Sequence, residues 1–368
     1  MAATIILATQ AVILVDQLKR RIPWDAAGRV QPSANLKGSR IMRVLVTGGA
    51  GFVGAVLVPI LIDRGHFVRV VDCGSFGLEG LDPRAEFVEG DILDFKMEWL
   101  DGIDSVIHLA GISNDPMAAF SPSLNYTLNA SGTAIVAHYA KERGVQRFVF
   151  ASSCSVYGFN DAVEVNEDVE LLPSFPYAIA KVMGERAIAC LGDNTFRPIA
   201  LRKGTVVGWS PRMRFDLVTN AMIKNGLTQG TIVVHNPKLW RPLLNVQDAA
   251  RAYVAALEAD LSITGTYNIA TENFSIGQLG EIVAQGMREF GVKVQLQIEN
   301  RPDFRSYRVS TERARKVLGF RPTITMGETV HEIMTHLMAK EITDFSNPRY
   351  YNVEQMKINM ARGGLVLV

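Results

Sequence analysis

The sequence predicts an α/β protein, a doubly wound parallel sheet carrying a smaller carboxy-terminal lobe. A short, mainly β-branched run, "RVLVT" (Arg43–Thr47), leads through Gly48, Gly51 and Gly54 into an apolar helical stretch ending near Asp63. Strand-like runs then alternate with helical patterns as far as Gly208, the signature of a parallel sheet covered on both faces. The 368 residues suffice for one large α/β domain with a smaller lobe.

The elements follow in order. After the first strand, one glycine permits a tight turn, one lets backbone approach a pyrophosphate, and one lets the helix lie close on the strand. Phe52 and Val53 stand at the entrance of that helix, whose free N–H groups and positive dipole end suit phosphates. The second strand, "FVRVVD", closes on Asp72, 18 residues after Gly54. An acid there can bind adenosine ribose hydroxyls and repel a 2′-phosphate, so NAD is preferred over NADP. A glycine triplet alone is weak; a triplet in strand–loop–helix–strand–Asp order predicts a Rossmann-type NAD-binding domain. Further strands are read at Glu86–Ile92, Ser105–Gly111, Arg147–Ser153 and Ala200–Gly208. Ligands belong at their carboxyl ends.

The domain reading is therefore an amino-terminal extension over 1–41, an NAD-binding domain over 42–208, a mainly substrate-binding lobe over 209–340, and a carboxy-terminal tail over 341–368. Some strands of the lobe are expected to return to the main sheet. Met1–Val15 carries no charge, but it is shorter than the ~20 residues a spanning helix needs. It lacks a basic n-region and a clear cleavage site, so it does not read as a signal peptide. With the polar, Gly/Pro/Ser-punctuated stretch Trp24–Arg40, it reads as peripheral or disordered.

Composition excludes several function classes. Lys+Arg 38 against Asp+Glu 37 leaves a net charge of +1, so no global field favours nucleic acid or a membrane. Cys73, Cys154 and Cys190 form neither a disulfide framework nor a zinc motif, which suits a reducing cytoplasm. In "HEIMTH", His331 and His336 stand i,i+5, roughly 140° apart around a helix, so they cannot share one zinc. No metal is expected.

"FPYAIAK" places Tyr177 and Lys181 four residues apart just after a proline, on one helical face and ~6 Å apart at Cβ. A lysine held there can lower the pKa of the phenol and make it a usable base. The same spacing is also one turn of an ordinary helix, until a nucleotide and a pocket accompany it.

They do accompany it, because the motifs of Met42 to about Met338 resemble the extended short-chain dehydrogenases/reductases, the nucleotide-sugar epimerase/dehydratase group, in order and spacing. "TGGAGFVG" (Thr47–Gly54) matches the glycine signature. "GDILD" (Gly90–Asp94) is similar to the adenine contact, with Asp91 as acceptor and Ile92 beside it. "HLAG" resembles the loop passing the cofactor's ribose and phosphates, through Leu109, Ala110 and Gly111. "NASGT" matches the structural and relay asparagine helix, with Asn129 on the cofactor side. "SSCSVYG" and "YAIAK" complete the set.

The resemblance implies that Tyr177 is the acid/base and that Lys181 holds its pKa down while binding the nicotinamide ribose. Anchoring on "VYG" makes Ser153 the assisting hydroxyl. In a strand Ser153 and Ser155 face one way while Ser152 and Cys154 face the other, so Cys154 reads as a small buried hydrophobe. The cysteine of GDP-fucose synthases aligns with Ser155, which argues against 3,5-epimerisation. The Asp-Glu pair of 4,6-dehydratases is replaced by Cys154 and Ser155. Chemistry at a single carbinol remains.

The substrate implied is a nucleotide-diphosphate sugar. Arg241 in "WRPLLNVQDAARA" and Arg301 in "NRPDFRSYRVS" resemble the diphosphate-binding arginines, whose planar forks bind oxygens in pairs. Arg305 and Arg308 read as surface arginines. Ser155 and Thr205 complete the substrate contacts. Thr205 stands where many 4-epimerases have asparagine, a departure from the ordinary UDP-glucose enzyme. The basic loop "SPRMRFD" (Ser210–Asp216) is a candidate for refining sugar choice. The resemblance implies an NAD-dependent nucleotide-sugar 4-epimerase. A one-way 4-ketoreductase of deoxysugar synthesis is the alternative, and a non-catalytic NAD-binding scaffold the third reading. No nucleic-acid or membrane partner is expected, and a homodimer is left open.

Overall fold

The computed structural model describes residues 40–159, 164–300 and 306–363. The extension before Arg40, together with Arg301 and Arg305, therefore lies outside the described residues. The strands are β1 Arg43–Thr47, β2 Phe67–Asp72, β3 Glu86–Glu89, β4 Ser105–His108, β5 Arg147–Ser153, β6 Arg197–Lys203, β7 Thr205–Val207, β8 Thr231–His235, β9 Trp240–Asn245, β10 Gly265–Ile269, β11 Glu272–Ser275 and β12 Gln295–Glu299. Seven of them form a sheet in the order β10-β6-β5-β4-β1-β2-β3, every pairing parallel.

Alternation along the inner strands decides the layers. Val44 and Val46 of β1, Val149 of β5 and Ile199 and Leu201 of β6 join the apolar cluster that contains helices Gly54–Asp63 and Val246–Glu258. Leu45, Phe148, Phe150 and Ala200 point to the opposite face, into the cluster with helices Thr133–Glu142 and Pro176–Leu191. Both faces are thus covered, as the unbroken hydrophobic runs require.

Strand order reverses between β1 and β4, so a crevice opens at their carboxyl ends. Buried His108 bridges this point, its Nδ1 2.7 Å from Thr47 Oγ1 and its Nε2 3.2 Å from Thr133 Oγ1. Burial, with the charge of Lys181, drives its pKa down to about 3. The ring is a neutral strut.

Three predicted strands end differently. The run from Glu86 stops at Glu89, because Asp91 caps a short 3₁₀ turn by accepting from Leu93 N at 2.9 Å. The run from Ser105 stops at His108, before the turn to Gly111 at φ 138. The run Ala200–Gly208 splits at Gly204 into β6 and β7, which belong to different sheets. A Cβ at Gly204 would stand 2.7 Å from the Pro242 carbonyl oxygen, so this crossing of chains needs glycine.

The lobe beyond β7 contains the sheet β11-β9-β7, the parallel pair β12-β8 and helices Val218–Gln229, Ile276–Glu289 and Met326–Met338. The last two each start with a capping box, Ser275 with Gln278 and Thr325 with Glu328. On the last helix His331 packs on Phe290 while His336 stacks on Trp209, so the two rings have separate partners. β10 leaves the lobe and pairs with β6 at the sheet edge. The segment read as a tail forms a further helix, Asn352–Ala361, against the main domain. Among the described residues, no helix is long and apolar enough to cross a membrane.

Candidate active site

A cavity of about 780 Å³ runs from the end of β2, past the β1–β4 crevice, into the lobe. The glycine turn forms one wall. Gly48 has φ +71, and a Cβ there would stand 2.7 Å from Ala110 N. A Cβ at Gly54 would be 2.4 Å from Gly49 O, so the helix can start close against the turn only without a side chain. Asp72 lies at the rim of this wall and accepts Ala50 N–H at 3.0 Å and Gly74 N–H at 2.9 Å, one on each oxygen. Each oxygen keeps a lone pair toward the cavity for a hydroxyl. Burial raises the Asp72 pKa, against the opposing effect of those two bonds.

Gly48, Gly51, Phe52, Val53, Gly54, Asp72, Asp91 and Ile92 all line this cavity, as do Leu109, Ala110 and Gly111. Asn129 lies behind the wall instead. It sits in a π-helical turn, Thr127–Gly132, and its amide donates to Ile112 O at 3.1 Å and Asn125 Oδ1 at 2.8 Å. Its Oδ1 has no partner and lies where a Cβ on Gly111 would stand, at 2.3 Å. Asn129 therefore holds the Gly111 loop rather than facing the cavity.

The catalytic candidates meet in the centre. Pro176 opens helix Pro176–Leu191, which places Tyr177 and Lys181 on its cavity face, 9% and 3% exposed. Lys181 Nζ lies 5.7 Å from the Tyr177 ring centroid and 5.0 Å from that of Phe150. Ser153, the last residue of β5, lies near the Tyr177 phenol and lowers its pKa. The Ser153 Oγ accepts from Ser155 Oγ at 3.0 Å and from Ser155 N at 3.2 Å. The strand ends at Ser153, and a 3₁₀ turn, Cys154–Tyr157, keeps the two hydroxyls on one side. Ser152 turns away to donate to Glu185 Oε1 at 2.5 Å. Cys154 is fully buried with its thiol on Arg202 O at 3.0 Å, and burial raises its pKa far above the ordinary thiol value.

One electrostatic expectation is corrected. The Tyr177 pKa is raised, first by burial and then by Asp115, while Ser153 and Arg214 pull it down. Lys181 does not enter that balance. Its own pKa is lowered to about 7, by burial first and then by Lys203, with Glu185 opposing. In the chain by itself burial is the largest influence on the phenol, and it opposes ionisation.

On the lobe side Ser155, Thr205 and Arg241 line the cavity. Arg241 donates from Nη1 to Trp240 O at 2.9 Å and lies 5.9 Å from the Tyr307 ring. Arg308 stacks on Trp240, 4.9 Å from its ring centroid. Several cavity residues escaped the sequence reading: Asp115, Lys203, Tyr253 and, from the carboxy-terminal helix, Asn352 and Met356. Met356 is 1% exposed and shares an apolar cluster with Tyr177. Arg212 and Arg214 belong to the basic loop already noted, but their partners could not be inferred from spacing.

The residues present fit a dinucleotide. They combine a glycine turn at a helix N-terminus, an acid at the ribose position and a buried guanidinium, Arg212, with two nitrogens that have no hydrogen-bond partner.

Comparison with known proteins agrees with this geometry. UDP-glucose 4-epimerase of Bacillus subtilis is 29% identical over 263 residues, covering 62% of this chain and 77% of that protein. The structure of UDP-glucose 4-epimerase from Thermotoga maritima with UDP-glucose superimposes with a TM-score of 0.73 at 26% identity, over 82% of this chain and 100% of that one. MoeE5 in complex with UDP-glucuronic acid and NAD gives 0.71 at 26% identity, over 81% and 99%. The family model for the NAD dependent epimerase/dehydratase family matches residues 44–270, a span holding the glycine turn, Asp72, Ser153, Tyr177 and Lys181, and the chain belongs to that family.

Proposed function

We propose that this protein is an NAD-dependent epimerase of nucleotide-diphosphate sugars, with UDP sugars the favoured class, acting by transient oxidation at the C4 carbinol. The observation that carries the reading is the convergence of Ser153, Tyr177 and Lys181 on one cavity wall, with no carboxylate at positions 154 and 155. The names of the similar epimerases support the substrate class.

Bound NAD supplies the hydride acceptor and donor, together with positive charge at its nicotinamide ring. The chain's own residues manage the proton. Tyr177 takes the proton of the sugar 4-hydroxyl and later returns it to the carbonyl oxygen of the 4-keto sugar. Ser153, fixed by Ser155, orients that oxygen and donates to it as charge develops. Glu185, one helical turn beyond Lys181, favours its charged form and is itself paired with Arg202 at 2.7 Å. Lys181 in that form is placed on the cavity wall to hold the nicotinamide ribose. Thr205 and Arg241 stand where the sugar nucleotide enters the lobe, and Arg301 is the second diphosphate clamp that the sequence supplies.

The test is the fate of hydrogen at the sugar. Candidate UDP-hexoses incubated with the enzyme in deuterated water should invert at C4 with no deuterium at C4 or C5 and no consumption of added NADH. Deuterium at C5, or inversion only at C3 or C5, overturns the single-carbinol mechanism. Stoichiometric NADH consumption with a 4-keto sugar, and no interconversion of 4-hydroxy epimers, assigns the site to a ketoreductase.

A further inference from the structure

Arg212 has no part in the chemistry above, yet its guanidinium is built into the cavity wall. The residue is 5% exposed, and its Nη2 donates to Asn352 Oδ1 at 2.6 Å. Its guanidinium carbon stands 4.5 Å from the Phe76 ring centroid. Nε and Nη1 are buried without a hydrogen-bond partner. A buried cation with two unused donors is unfavourable unless something anionic meets it. Burial first and Arg214 next lower its pKa to about 9, and the nearby carboxylates of Asp216 and Asp72 only partly oppose the shift. Adjacent nitrogens of one planar fork suit two oxygens of a phosphate.

The surroundings select which phosphate. Ser210 Oγ donates to Phe52 O at 2.8 Å, and Arg212 N donates to Ser210 Oγ at 3.3 Å, so the loop is pinned to the glycine turn. Phe76 lies four residues beyond Asp72, the ribose acid. Asn352 Nδ2 donates to Ser113 Oγ at 2.9 Å, just past the Gly111 loop. The three segments around Arg212 are those that flank the middle of a dinucleotide, between the ribose at Asp72 and the catalytic Tyr177. Arg241, by contrast, belongs to the lobe sheet at β9.

We propose that Arg212 is the counter-charge to the cofactor's diphosphate, and that the loop Ser210–Asp216 and the helix Asn352–Ala361 form a strap that retains the cofactor between turnovers. The proposal rests on the cofactor part of the functional reading and not on the sugar chemistry. The helix N-terminus at Gly54 offers partial charge from one side, and Arg212 offers a full charge from the other. The strap is fastened along its length. Phe215 N donates to Tyr350 O at 3.0 Å, Asn352 N to Asp216 Oδ2 at 3.2 Å, and Asn359 Nδ2 to Ser75 O at 2.7 Å. Such a strap suits an enzyme that must return the same hydride, because the reduced cofactor has to stay.

The experiment follows NADH release from the full-length protein by its fluorescence, and measures UDP affinity on the same samples by calorimetry. Arg212→Met should speed NADH release and weaken NAD binding at least roughly tenfold, as expected for a lost charged hydrogen bond, with UDP affinity unchanged. Arg212→Lys, which keeps the charge but loses the fork, should fall between. Asn352→Ala should speed release without removing the charge. The NAD-induced rise in melting temperature should shrink in step. If Arg212→Met does not fold, the Lys and Asn352 variants carry the same comparison. Unchanged NADH release overturns the proposal, as does a loss confined to UDP, which would assign Arg212 to the sugar nucleotide. Failure to epimerise any UDP-hexose would overturn the sugar reading and leave the release measurements intact.

Discussion

Lys203 donates to the Tyr253 hydroxyl at 2.7 Å, a second Lys–Tyr pair lining the cavity that holds Lys181 and Tyr177. Burial lowers the pKa of each lysine to about 7, and the charge of Lys203 adds to the shift of Lys181. When unfolded, both regain ordinary lysine values near 10.5. Between about pH 7 and 10.5 the unfolded chain therefore binds more protons, and these lysines make stability rise with pH. Urea unfolding of cofactor-free protein across that window should show the rise. Lys203→Met should flatten it by removing one titrating group and relieving the other. An unchanged slope would show that Lys203 is solvated.

Tyr177→Phe should lower turnover by roughly 10²–10⁴-fold, the range for positioned acid/base catalysis, while NAD binding persists. The helix packs through its other buried residues, so the variant should fold. Near-native turnover would remove the phenol from the mechanism.

Asp72→Asn should relax cofactor choice. It removes the charge facing a 2′-phosphate and keeps one of the two backbone bonds, from Ala50 N or Gly74 N, since an amide has a single acceptor oxygen. NADP affinity should rise at least roughly tenfold relative to NAD, a modest yield for a like-charge contact in a partly buried site. Equal preference before and after the change would mean that another group discriminates.

Glu185→Ala should cost about 3–5 kcal/mol of stability, because it leaves the Arg202 guanidinium buried and unpaired. Arg202 donates to both Glu185 oxygens, at 2.9 and 2.7 Å, and its Nη1 reaches the Tyr157 hydroxyl at 3.0 Å. Loss of Glu185 should also lower the Lys181 pKa further, since its charge opposes that shift. Chemical denaturation checks the first effect, and the pH dependence of turnover in the folded variant checks the second.

Much of this was legible in the sequence for physical reasons. β1 and β5 carry apolar runs, β2 an apolar run interrupted by Arg69, each bounded by turn residues, and the structure bounds them as the sequence does. Strand parity separated Ser153 from Cys154, and their surroundings differ accordingly. Other features depend on residues far apart in the chain. Arg212 and Asn352 are partners across 140 positions, and neither has a local pattern that announces the other. The Tyr177 proton was misread because spacing reports which groups share a helix face, whereas burial, set by the whole fold, dominates the phenol's pKa.

The helix Asn352–Ala361 comes later in the chain than every other element lining the cavity. During synthesis the sheet, the glycine turn and the Tyr177 helix all emerge first, and domains fold as they emerge. A nascent chain can thus assemble a trough open along one side. Only when this helix docks, bringing Met356 against Tyr177 and Asn352 against Arg212, does the trough acquire its last wall. The order of the chain therefore leaves the dinucleotide trough open on one side until its last helix is in place.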